Sequence, residues 1–174
     1  YNINYVWTGL PEDTKFYNEK GEEITVSKPA DQMVTNNAPF TADSTYTAAS
    51  IVYIHDDDGN VIGQCTFSGW SPAKIENVTE PATIEGEWTL TYTSFDYQIN
   101  YIYVSRNGTE TVVEGEWTSA PYGTPIAGDE TTPKEYDGAN YIWDRTEGAT
   151  SVSAVKANNI QNIYYLSLIH ISEP

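Results

Sequence analysis

The sequence has one cysteine, one methionine and two histidines among 174 residues, and only eight lysines and arginines against 25 aspartates and glutamates. With Cys65 alone no internal disulfide forms, so any extracellular stability comes from packing rather than covalent staples. Cys65 itself reads as a small buried strand residue, not a reactive thiol. The formal net charge of −17, with no cluster of Lys or Arg, argues against nucleic acid and anionic membrane surfaces as partners, because both attract proteins through cations on phosphate. No window approaches the ~20 apolar residues of a membrane span, so this segment is not expected to insert into a membrane. No Met, charged leader or apolar h-region precedes Tyr1, so no signal peptide is visible. The missing start and the abrupt stop together read as a fragment of something longer.

What is abundant is aromatic. Fourteen Tyr and five Trp suit half-buried pleated surfaces, helix formers are scarce, and the expectation is a mainly β chain with room for one short helix per module. YNINYVW at Tyr1–Trp7 recurs as YQINYIY at Tyr97–Tyr103, offset by 96 positions, as the opening strand of a tandem module would. Two small elongated antiparallel-sheet modules are therefore expected, at 1–93 and 94–165, with a separate tail at 166–174. At about 90 and 70 residues each sits near the lower size limit for a self-sufficient core, which the aromatics help to fill.

Turn chemistry supports the division. In DDDGN at Asp56–Asn60, between IVYIH and VIGQCTFSGW, glycine supplies the positive φ of a tight hairpin; Asn107-Gly108 does the same between two alternating runs of the second module. The first module closes on the alternating ATIEGEWTLTY, and Lys28–Val34 reads as a turn of helix with Pro29 at its start.

Four stretches of the first module, INYVWTG at Ile3–Gly9, DDDGNVIG at Asp56–Gly63, TFSGW at Thr66–Trp70 and TIEGEWT at Thr83–Thr89, resemble the SHIRT-type repeats of Gram-positive bacterial surface proteins. Cys65 departs from that pattern, where Thr or an aromatic is expected. The second module resembles the mucin-binding-protein-like, β-grasp-related repeats of the same class of proteins, through YQINYIY, PYGTPI at Pro121–Ile126, NYIWDRTEG at Asn140–Gly148 and NNIQNIYY at Asn158–Tyr165. The resemblances imply a stalk or adhesive portion of a cell-wall-anchored protein, extracellular on the bacterial surface, and supply no catalytic residues. Within the first module they mark Phe67, Gly69, Trp70, Gly86 and Trp88 as structural motif residues.

Residues that invite chemistry each have a plainer reading. Asp56, Asp57 and Asp58 suggest a calcium site, but an EF-hand spaces its acidic ligands alternately and ends on Glu, whereas a hairpin turn explains three consecutive carboxylates. EGEW occurs at Glu85–Trp88 and Glu114–Trp117. On a strand Glu85 and Glu87 share one face about 6.5–7 Å apart, touching the spacing of inverting glycosidases. Ile84 and Trp88 on the other face would be core, which leaves the glutamates, and likewise Glu114 and Glu116, facing water without the groove that raises a catalytic pKa. His55 lacks a second histidine or Cys motif to build a triad or zinc site with, and reads as a cross-strand neighbour. Trp7, Trp70, Trp88, Trp117 and Trp143 have the stacking surface for sugars, yet small β modules also need them as core. A Lys-to-Asn isopeptide bond from Lys15, Lys20, Lys28 or Lys74 needs a buried acidic neighbour that no motif identifies. The sequons at Asn77 and Asn107 are incidental in a bacterial surface protein.

The leading expectation is a non-enzymatic pair of tandem repeats, without cofactor or metal, that projects an adhesive head. Each module would span roughly 30–45 Å, with neighbouring repeats of the same chain as partners. Two alternatives stand beside it: a module that binds host glycans or glycoproteins, and an accessory stretch of a surface hydrolase. The tail LSLIHISEP is what translating CTG TCT CTT ATA CAC ATC TCC GAG CCC gives, a sequence that resembles the end of a transposon-based sequencing adapter, and it reads as debris fused in frame to a truncated environmental gene. On that expectation the repeat pattern is complete at Tyr165, and His170 and Glu173 leave the native inventory.

Overall fold

A computed structural model of the chain describes residues 1–168. It is mainly β, and its contacts divide it between Thr93 and Ser94 into two compact units.

The first unit opens with β1 (Asn2–Thr8), followed by the two-residue strands β2 (Phe16–Tyr17), β3 (Glu23–Ile24), β4 (Gln32–Met33) and β5 (Phe40–Thr41). The longer β6 (Ile51–His55) and β7 (Val61–Ser71), the short β8 (Lys74–Ile75) and the closing β9 (Ala82–Tyr92) complete it. Seven of these form one sheet in the order β3-β2-β6-β7-β9-β1-β4, and β5 pairs with β8 apart from it. Alternation decides the faces: Ile84, Gly86 and Trp88 of β9 are buried while Thr83, Glu85 and Glu87 are exposed. Ile3, Tyr5, Val34, Phe40, Val78 and Ile84 make one core cluster, and Cys65, fully buried on β7, has its thiol pushed up by burial.

The second unit contains β10 (Ser94–Val104), β11 (Glu110–Val113), β12 (Thr118–Pro121), β13 (Lys134–Tyr136), β14 (Ala139–Gly148), a 3-10 turn at Lys156–Asn158 and the closing β15 (Ile160–Ser167). Its order is β11-β10-β15-β14-β13, with β12 also on β10. Tyr103, Ile163 and Tyr165 form a buried cluster there, flanked by Ile99, Tyr101, Tyr136 and Tyr141.

Two features differ from what the sequence predicts. The main sheet of each unit holds a parallel pair within an otherwise antiparallel framework: β1 runs parallel to β9, and β10 parallel to β15. Such pairing joins strands far apart in sequence, so no local turn announces it. Lys28–Val34 forms no helical turn. The Val34 amide donates to the Tyr1 carbonyl at 2.8 Å, the Tyr1 amino group donates back to the Val34 carbonyl at 2.7 Å, and β4 completes the sheet edge in extended form. Strand β15 itself includes Leu166, paired with Val104 and Ile142, and Ser167, paired with Tyr141. His170, Glu173 and the rest of 169–174 lie outside the described residues.

Candidate functional site

The repeated Ile-Asn-Tyr of the two opening strands builds the same arrangement twice. On β1 the Tyr5 hydroxyl accepts the amide of Asp43 at 3.1 Å, Trp70 Nε1 donates to the Asp43 carbonyl at 2.9 Å, and the Asp43 carboxylate accepts the amide of Thr45 at 2.8 Å. On β10 the Tyr101 hydroxyl accepts the amide of Asp129 at 2.8 Å, the Tyr165 hydroxyl donates to the Asp129 carbonyl, and the Asp129 carboxylate accepts the amide of Thr131 at 2.8 Å. In each unit one aspartate on a covering loop gives both backbone groups to sheet aromatics and spends its carboxylate on an Asx turn. We refer to this as the aspartate latch.

The latches differ electrostatically. Lys134 Nζ lies 2.6 Å from Asp129 Oδ2 and 4.6 Å from the centre of the Tyr101 ring. That ammonium, together with the Thr131 donors, holds the exposed Asp129 carboxyl well below the usual range, and Asp129 in turn raises Lys134. Burial, reinforced by the Asp129 charge, pushes the Tyr165 phenol up to about 12, and burial raises Tyr103 too. Asp43 is lowered by the Thr45 hydroxyl and amide.

Behind the first latch stands a wall of aromatics. Trp7 and Trp70 stack 5.2 Å apart at 18°, with Phe67, Trp88 and Tyr46 edge-on or tilted around them. TFSGW explains how residues three apart reach one face: β7 bulges at Ser68, between Phe67 and Gly69, so Phe67 and Trp70 both turn inward. Gly69 has φ +129°, a conformation that favours glycine. Gly86 is the floor of the stack, since a Cβ there would lie 2.5–2.7 Å from ring atoms of Trp7 and Trp70. Phe67, Trp70, Gly69, Gly86 and Trp88 are thus assembled into one structure, in which Trp7 Nε1 and Trp88 Nε1 are buried with no hydrogen-bond partner among the described residues.

The other sequence candidates do not converge with them. The Asp56 carboxylate is taken up by its own turn, accepting the amides of Asp58 and Asn60 and the Asn60 side chain at 2.8–3.0 Å. Burial of Asp56 works against these bonds, yet together with the His55 charge they leave its carboxyl lowered. Asp57 and Asp58 face solvent, and among the described residues no three His, Cys, Asp or Glu side chains gather as metal ligands. His55 stacks on Tyr17 at 3.8 Å. Lys15, Lys20, Lys28 and Lys74 are all exposed, not in the buried setting an isopeptide bond requires.

The two EGEW tetrapeptides adopt different structures. The first lies inside β9. The second spans the break between β11 and β12, where Gly115 sits against β10 and takes over its hydrogen bonding: Gln98 Nε2 donates to the Gly115 carbonyl at 2.8 Å, and the Gly115 amide donates to Asn100 Oδ1 at 3.2 Å. Trp88 is 2% exposed and Trp117 39%. Sequence reasoning also passed over the polar residues of NNIQNIYY. Asn159 is fully buried and bonds Ser153 and the Asp96 carbonyl, and buried Gln161 ties Ile126, Gly128 and Ala149 to the closing strand. A motif of Asn and Gln reads as turn or surface unless the loops it must hold are known.

No family model matches the chain, and no curated protein does. Among solved structures it is similar to Streptococcal High Identity Repeats in Tandem (SHIRT) domains 3-4 from a cell surface protein, at 13% identity over 96% of this chain and 98% of that one, with a TM-score of 0.44. A likeness at that level carries no argument for function, which rests instead on the chain's own residues.

Proposed function

We propose that the chain is a non-enzymatic spacer from an extracellular bacterial surface protein, two SHIRT- and mucin-binding-protein-like repeats that carry an adhesive head away from the cell wall. The observation that carries this reading is recurrence. Two units, consecutive in the chain, share an opening strand parallel to the closing strand and the same aspartate latch. Repeat architectures multiply one such plan along a chain. The latch aspartates spend their hydrogen-bonding groups on holding loops, and the surplus of acidic charge suits crowded copies that must repel one another. The test places the chain between a cell-wall anchor and a reporter binding head on a bacterial surface. The head should capture bead-bound ligand that a head fused directly to the anchor cannot reach; equal capture with and without the chain overturns the reading.

A second reading, binding of host glycans or glycoproteins, is favoured by Trp117 and Trp143, 39% and 37% exposed. Lys156 Nζ lies 4.5 Å from the Trp117 ring, placing a cation beside a stacking surface. A glycan array probed with the full chain should give signals that Trp117→Ala or Trp143→Ala removes, and silence across mucin-type glycans sinks it.

A further inference from the structure

We propose that each unit bears tension, its parallel pair of opening and closing strands acting as a clamp loaded in shear. The proposal rests on the spacer reading for its biological occasion, and on strand geometry for its physics.

In the first unit the chain enters at the start of β1 and leaves at the end of β9. The two strands are direct parallel neighbours over six pairs, from Ile3 with Ala82 to Thr8 with Glu87. In the second unit it enters at the start of β10 and leaves by β15, parallel over seven pairs, from Gln98 with Ile160 to Val104 with Leu166. Pulling the start of one parallel strand against the end of the other slides them along their common axis, so every hydrogen bond of the ladder resists together. Pulling both strands from the same end opens the ladder one bond at a time. Since forced unfolding follows the barrier to unfolding, the same bonds yield at different forces in the two directions.

The repeated asparagine reinforces the clamp in both units. Asn4 Oδ1 accepts the Thr83 hydroxyl at 2.9 Å across β1 and β9, and Asn100 Nδ2 donates to Asn162 Oδ1 at 3.2 Å across β10 and β15. Asn4 and Asn100 hold the same place in the 96-residue repeat, so each opening strand carries a side-chain cross-tie to its closing strand. Extraction of β1 must also break its pairing with β4, and β10 is flanked by β11 and β12 as well as β15. Few single changes would therefore release either clamp.

Single-molecule pulling of the full chain tests this without weakening the fold. One handle stays at the N-terminus; the second is attached at Thr93→Cys, which shears β1 against β9, or at Glu80→Cys, which opens the same pair from one end. Both positions are exposed, while native Cys65 is fully buried and does not compete for the handle. Matching thermal melts of the two variants establish equal folding. The rupture force of the first unit should be higher in shear by about twofold or more, as simultaneous loading of six pairs predicts. Equal forces in the two geometries overturn the clamp and leave the spacer reading standing. Failure of the bead-capture test removes the spacer reading without touching a measured difference in force.

Discussion

The two latches differ at one donor. In the first unit the Asp43 carbonyl is held by an indole N–H, which does not titrate; in the second the Asp129 carbonyl is held by the Tyr165 hydroxyl, which does. Lys134 then gives the second latch a charged partner on its carboxylate. The donor that holds the aspartate carbonyl is thus insulated from pH in one unit and exposed to it in the other. The two EGEW segments make a parallel contrast. In β9, flanked by β1 and β7, Gly86 makes room for side chains; next to β10, Gly115 makes room for backbone, where its Cβ would lie 2.1 Å from the Ile99 carbonyl oxygen. Neighbouring strands, rather than the tetrapeptide, decide what its glycine and tryptophan do.

The sharpest way to break the EGEW contrast is to make one substitution twice. Trp88→Ala should cost the first unit about 3–5 kcal/mol, as large-to-small changes of buried aromatics do. Trp117→Ala should cost the second under about 1 kcal/mol, the scale of an exposed cation–π contact. Denaturant titration that resolves the two units checks both values. Next in size is the alkaline response. The Tyr165 phenol is favoured neutral in the fold, so its stabilisation is complete below the ordinary tyrosine value of about 10 and is lost as pH rises from there through about 12. That loss, about 2–3 kcal/mol at one pKa unit per ~1.4 kcal/mol, should fall on the second unit. Trp70 should keep the first latch closed, which near-UV circular dichroism of its tryptophan wall reports.

Smaller effects separate the two glycines. Gly86→Ala and Gly115→Ala should each cost about 1–3 kcal/mol by overpacking. Only the first should change tryptophan fluorescence, and only the second should speed amide exchange in β11 and β12. The smallest effect concerns acid. Asp129 is depressed in the fold, so its contribution is present above the usual carboxylate range and fades as pH falls below it. Lys134→Gln should therefore flatten the acid limb of the second unit's stability profile and leave that of the first unchanged.

Much of this architecture is legible in the residues. Alternation along ATIEGEWTLTY assigns Ile84 and Trp88 to the core and Glu85 and Glu87 to solvent, and Asp-Gly and Asn-Gly locate both hairpins because one glycine and one Asx side chain satisfy each turn locally. What stays hidden is non-local. Asp43-Ser44-Thr45 and Asp129-Glu130-Thr131 read as ordinary Asx turns, but their tyrosines lie 38 and 28 residues upstream, with nothing in the sequence to couple them. The parallel pairing of first and last strands is hidden for the same reason. So is the fate of the second EGEW, which depends on the Gln98 and Asn100 side chains supplying hydrogen bonds that a ladder would otherwise make. Burial of Asn159 and Gln161 likewise follows from loops that need donors and acceptors in the interior.

That both units are built on one latch is tested most directly by removing one hydroxyl from each. In the full chain, Tyr5→Phe should expose the amide of Asp43 to exchange at least about tenfold faster, an opening energy of about 1.4 kcal/mol, and leave Asp129 protected. Tyr101→Phe should do the reverse. Unchanged protection of Asp43 in the first variant or of Asp129 in the second would contradict a shared latch.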